Sequence, residues 1–139
     1  MTIPIKMTEN EVIKKLIIHL EKEGWSIGDN YCLGSTHGID IKAEKDGITL
    51  LVEAKGAAAA KDSANRAREY FDSGQIKTHF GKAIVQVLQY KAENPDFLIA
   101  IAHPMDDAIV KHIGKLIPFL IKLDIIHFWV SPDGKIIQV

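Results

Sequence analysis

The chain has 139 residues and a net charge of −1, with close to half of its residues hydrophobic and a quarter charged. That length suits one compact domain, residues 1–139, and that balance excludes a disordered chain. Such a charge advertises no polyanionic partner, the single cysteine, Cys32, cannot close an internal disulfide, and no apolar run approaches the roughly 20 residues that span a bilayer, so a cytoplasmic protein without membrane contact is expected.

Thr8, Glu9, Asn10 and Glu11 read as a capping box, in which the Thr8 hydroxyl and the Glu11 carboxylate satisfy amides at a helix start. Val12, Ile13, Leu16, Ile17 and Leu20 then recur at helical spacing as far as a stop at Gly24. Residues 25–33 predict a first strand with an Asp29-Asn30 turn in or beside it, and 34–38 a loop. Residues 39–44 alternate apolar and polar side chains, Lys45-Asp46-Gly47 is turn chemistry, and 48–55 is a second run, so the two make a β-hairpin. Because strand side chains alternate, Glu53 and Lys55 leave that hairpin on one face.

The four alanines after Gly56 suit a linker, yet with the residues behind them they have high helix propensity, and 57–74 is taken as helix-prone. Residues 75–92 form a long amphipathic helix on Ile76, Phe80, Ala83, Ile84, Val87 and Leu88, closed by Asn94-Pro95. Residues 97–102 are a continuous apolar strand of the kind buried on both faces. Residues 106–123 predict a helix interrupted at Pro118, followed by strands at 125–130 and 135–139. The order α-βββ-α-β-α-ββ is that of an α/β protein with a mixed central sheet flanked by helices.

One stretch carries chemistry. Asp40 sits on the first hairpin strand, and Glu53-Ala54-Lys55 sits on the next. Adjacent antiparallel strands lie about 4.7–4.9 Å apart, so Asp40 and Glu53 can converge on a hard cation such as Mg²⁺, with the Ala54 carbonyl as a further oxygen ligand. Such an ion can hold a phosphate oxygen and acidify a water, and Lys55 can orient that water and offset developing charge. The same residues also suit an ordinary exposed pair of sheet carboxylates with Lys55 as an ion partner, which is worth little.

Gly38-Ile39-Asp40 and Glu53-Ala54-Lys55 on a hairpin resemble the PD-(D/E)XK nuclease superfamily, which includes restriction endonucleases and archaeal Holliday-junction resolvases. The resemblance implies a restriction endonuclease-like core, Mg²⁺ with Mn²⁺ able to substitute, and cleavage of phosphodiester bonds in DNA. It makes Asp40 and Glu53 metal ligands and Lys55 the residue that handles water. The proline of the family name is absent, since Ile39 precedes Asp40. Members often add a glutamate from the first helix, for which Glu9 is preferred because it shares the face of Val12, Ile13 and Leu16; Glu11, which also serves the capping box, is the competitor. Some branches add a glutamine and an aromatic on the helix after the hairpin, and Gln86, Gln89 and Tyr90 look like that element, with Gln86 the candidate.

The stretch from Lys55 to Lys82 holds six basic residues against three acids. Within it Lys77 and Lys82, with Arg66 and Arg68, suit phosphate neutralisation or simply a solvated helix surface. His37, three residues before Asp40, and His79 are candidates for contact with nucleic acid, although loop and helix histidines are more often plain surface residues. His19, His103, His112 and His127 show no metal-ligand spacing and receive no role. A homodimer is expected, since a duplex has two strands and the apolar stretch 117–129 suits an interface as well as a core. The competing readings are a catalytically silent nucleic-acid-binding subunit and a mobile-element or defence accessory protein active only with a protein partner.

Overall fold

The computed structural model describes residues 6–28, 39–58 and 71–139. Its helix α1, Glu9–Lys22, begins on the anticipated capping box, with Glu11 N–H donating to Thr8 Oγ1 at 3.3 Å and Thr8 N–H donating to Glu11 Oε1 at 3.2 Å. It buries Val12, Ile13, Leu16 and Leu20. It ends because Gly24 takes φ 95°, which lets Trp25 N–H reach Leu20 O and Gly24 N–H reach Glu21 O, the paired bonds of a Schellman motif.

Strand β1 is confined to Ser26–Ile27 among the described residues; Trp25 and Gly28 flank it outside the strand, and 29–33 of the expected 25–33 run lie outside the described residues. Strands β2, Ile41–Lys45, and β3, Ile48–Ala54, form the hairpin, with Lys45 paired to Ile48. Asp46 and Gly47, at φ 51° and 79°, supply the positive angles that a two-residue turn between twisted strands demands.

Helix α2, Ser73–Glu93, starts on a second capping box, Asp72 with Gln75, and buries Ile76, Phe80, Ala83, Val87 and Tyr90. Here the sequence reading needs one adjustment. Leu88 stays 42 % exposed, and Tyr90 takes the buried position. Strand β4, Leu98–Pro104, is buried from Ile99 onward, in keeping with its place inside the sheet.

The single helix expected at 106–123 is two. Helix α3, Asp107–Ile113, is capped by Asp106, a 3-10 turn occupies Gly114–Leu116, and helix α4 spans Ile117–Lys122. Pro118 therefore lies in the first turn of α4, where its missing N–H costs nothing, and the break comes before it rather than at it. Strands β5, Ile125–Val130, and β6, Ile136–Gln138, complete the chain.

The six strands among the described residues lie in sequence order, β1-β2-β3-β4-β5-β6. The pairs β3/β4 and β4/β5 are parallel and the other three pairs antiparallel. Helix α1 packs on one face, against Ile41, Leu50, Val52, Ala100 and Phe128. Helices α2, α3 and α4 cover the other, against Leu51, Ile99, Ile101, Ile125 and Trp129. The result is a mixed α/β sheet flanked by helices, as the element order indicated. No described helix is long and apolar enough to cross a membrane.

Candidate active site

The sheet register brings the hairpin acids together. Ile41 pairs with Val52, and one step further places Asp40 opposite Glu53. Asp40 is only 6 % exposed, and its Oδ2 accepts the Ala54 N–H at 2.8 Å, which ties the acid to the strand that carries Glu53 and Lys55. On that strand Lys55 Nζ lies 3.7 Å from Glu53 Oε1. From α2, Tyr90 Oη donates to Glu53 Oε2 at 3.4 Å.

The third acid arrives through a backbone contact. Just beyond β3, Ala57 N–H donates to Met7 O at 2.7 Å, and Thr8 and Ala58 form a parallel bridge. A Cβ on Gly56 would stand 2.7 Å from the Thr8 carbonyl carbon, so only glycine lets the start of α1 come this close. Glu9, the first residue of α1, consequently shares the electrostatic environment of Asp40 and Lys55. Glu11 is turned back onto the Thr8 cap.

Three acids with one ammonium leave negative charge poorly compensated in a half-dry place. Burial, then the Asp40 charge, pushes Glu9 up to about 7 against the opposing pull of Lys55. Glu53 is likewise raised to about 7 by burial and by Asp40, with Lys55 opposing, Glu9 adding to the rise and Tyr90 opposing it. Burial raises Asp40 as well, against the Ala54 N–H, Lys55 and a hydrogen bond with the Glu53 side chain. Burial thus makes the charged form costly for both members of the Asp40/Glu53 pair.

Among the described residues, no three His, Cys, Asp or Glu side chains are gathered so as to hold a metal ion. The donor set that suits a hard cation is smaller: the Asp40 and Glu53 carboxylates with the Ala54 carbonyl, all oxygen donors, and a raised carboxyl pair is the charge environment that a divalent cation relieves.

An open groove of about 550 Å³ runs from this point along α2, lined among others by Glu53, Lys55, Thr78, Lys82 and Gln86. Gln86 and Lys82 are therefore brought to the site. Lys77 is exposed on α2 and does not line the groove. His79 is half-buried with its ring 4.5 Å from that of Phe71, and burial, then Lys55 and Lys82, lowers its pKa. His37, Arg66 and Arg68 lie outside the described residues.

The sequence reading passed over His103. In the β3/β4 register Ala54 pairs with Ala102, so His103 comes beside Lys55, and it touches His127 on β5. Nothing in the spacing of residues 55, 103 and 127 announces this, because parallel pairing is set by the crossovers and not by local sequence.

No protein-family model matches the sequence, and no curated protein is similar to it. Two solved structures share its fold. A crystal structure of an XisH family protein from Nostoc punctiforme superposes with a TM-score of 0.58 at 18 % identity, covering 92 % of this chain and 97 % of that one. A crystal structure of an fdxN element excision controlling factor protein from Anabaena variabilis gives 0.57 at 21 % identity, covering 92 % and 96 %. The fold is that of XisH-type proteins. At these identities the likeness speaks for architecture, over nearly the whole length of each chain.

Proposed function

We propose that this chain is a metal-dependent endonuclease that hydrolyses phosphodiester bonds in DNA, one α/β domain of the PD-(D/E)XK pattern. The observation that supports it is the pairing of Asp40 with Glu53 beside Lys55, with Glu53 and Lys55 lining an open groove and Glu9 in the same electrostatic environment. Carboxylates are seldom buried together, and where they are, functional sites are over-represented.

Asp40, Glu53 and the Ala54 carbonyl would hold Mg²⁺ or Mn²⁺, which supplies positive charge to a phosphate oxygen and lowers the pKa of a water. Lys55, beside Glu53, orients the attacking water and offsets charge on the phosphate. Glu9, titrating near neutrality, can hold or release a proton next to Asp40. Lys82 and Gln86 present a charge and an amide to a backbone lying in the groove, and His79 and Lys77, on α2 but outside the lining of the groove, are assigned to contact with nucleic acid beyond it. The exposed Leu116, Phe119 and Leu123 around α4 favour a homodimer.

The second reading is an accessory subunit that acts only with a protein partner, for example in the handling of a mobile element. It draws on the net charge of −1, low for a lone DNA-binding enzyme, and on the description of one structural neighbour as an excision controlling factor. Calorimetric titration with Mg²⁺ and Mn²⁺ separates the two. The nuclease reading expects saturable binding that is lost in Asp40→Asn and Glu53→Gln, whereas a folded wild type that takes up neither ion sinks it.

A further inference from the structure

Gly81 stands inside α2, well away from either end of the helix. In such a place glycine is worse than every residue but proline, because its unfolded backbone has the most freedom to lose. The fold itself does not ask for it. The backbone there is ordinary helix, the residue is exposed, and a Cβ added to it would meet no described atom within 4 Å. Gly56 is the contrast, since there the chain's own backbone fills the place of a side chain. At Gly81 the place is open to solvent.

That opening faces the site. Gly81 lines the groove of about 550 Å³ that Glu53 and Lys55 line from β3. Thr78 and Val85, three residues before it and four after, line the same groove and are its neighbours on the helix surface. Both are exposed, Val85 to 58 %, so Gly81 is a dip in α2 between a hydroxyl and two methyls. Thr78 and Lys82 are four apart, which sets the hydroxyl and an exposed ammonium side by side. The set matches a sugar-phosphate backbone: a hydroxyl and an ammonium for phosphate oxygens, a methyl surface for the uncharged sugar, and bare helix between them that permits close approach.

We infer that one strand of the phosphodiester substrate lies directly on α2 at Gly81, with a phosphate held by Thr78 and Lys82 and the adjoining sugar against Val85. The absent side chain is what lets that strand come down to Glu53 and Lys55. The inference rests on the phosphodiester reading of the site and adds the surface on which the substrate is seated. These contacts go to the backbone and not to base edges, so α2 gives no sequence preference.

The test is fluorescence anisotropy of a labelled DNA duplex and a labelled single strand, in metal-free buffer over a range of salt, with wild type, Gly81→Ala and Gly81→Leu. Urea denaturation should find both variants at least as stable as wild type, since each gains helix propensity, and calorimetry should find their Mg²⁺ affinity unchanged. Gly81→Leu should bind the better of the two probes at least about tenfold more weakly, the worth of one hydrogen bond to a charged group, and Gly81→Ala should lose less. The slope of log affinity against log salt should become shallower by about one in Gly81→Leu, as in Lys82→Ala, and the double variant should be no shallower than either, because the same phosphate contact is lost each time. A merely structural change would leave that slope alone. Binding by Gly81→Leu within twofold of wild type, Mg²⁺ affinity that falls in parallel with DNA affinity, or a wild type that binds neither probe overturns the inference. Mg²⁺ uptake by wild type is read separately, so the metal site of the nuclease reading can stand while the seat on α2 falls.

Discussion

Gly56 and Glu9 are in backbone contact: a side chain at position 56 would be driven into the amide nitrogen of Glu9 and the carbonyl of Thr8. This contact, with Ala57 N–H on Met7 O, sets the start of α1 against the end of β3 and so places the helix acid near the hairpin acids. Gly56→Ala must push backbone against backbone. It should cost about 1–3 kcal/mol in urea denaturation, and it should weaken Mg²⁺ binding beyond that loss because Glu9 is displaced. A variant as stable as wild type, with unchanged metal affinity, would show that the approach is not needed.

The raised carboxyls make stability fall with pH. Glu9 and Glu53 ordinarily titrate at 4.5 and sit at about 7 in the fold. Between those limits these two groups bind more protons in the folded chain than in the unfolded one, so their share of the slope of stability against pH is negative, while His103 and His127, lowered by burial, contribute a positive share below about 6.5. The two carboxyls thus favour metal-free protein near about pH 5 over about pH 8, and Glu53→Gln should shift the difference in stability between the two pH values towards pH 8 relative to wild type. Added Mg²⁺ should reverse the trend by taking the place of the protons. Denaturation curves at the two pH values, with and without the ion, check the sign.

Much of the fold was legible because its signals are local. The Thr8 box, the Asp46-Gly47 turn and the five-residue hairpin register are written in adjacent residues, and that register alone brings Asp40 to Glu53. Glu9 against Glu11 was a matter of helix face, since one carboxylate is used by the cap and the other is not. What was illegible depends on distant pairing. His103 comes beside Lys55 only because α2 carries the chain across to a parallel strand, whereas Tyr90, which donates to Glu53, belongs to the glutamine-and-aromatic element that the resemblance marks. Pro118 misled for a local reason, as proline ends one helix and begins the next with equal ease.

Asp106 should prove structural. Its Oδ2 accepts the N–H groups of Ala108 and Ile109 at 3.0 and 3.2 Å, and its Oδ1 lies 2.6 Å from Lys6 Nζ. Asp106→Ala removes the cap of α3 and should lower stability by about 1–2 kcal/mol. DNA cleavage per folded molecule should be unchanged, and a selective loss of cleavage would give Asp106 a place in the chemistry that its geometry does not suggest.

The central claim is that Asp40, Glu53 and Lys55 form a hydrolytic centre for phosphodiesters. Its most direct test is the cleavage of plasmid, branched and single-stranded DNA with Mg²⁺ or Mn²⁺, comparing wild type with Lys55→Ala and Asp40→Ala at matched folding. The account predicts metal-dependent cutting by wild type that falls at least about a hundredfold in each variant, the scale of losing a positioned charge or proton-handling group. Folded wild type that leaves every substrate intact with either ion, or variants that cut as well as wild type, would contradict it.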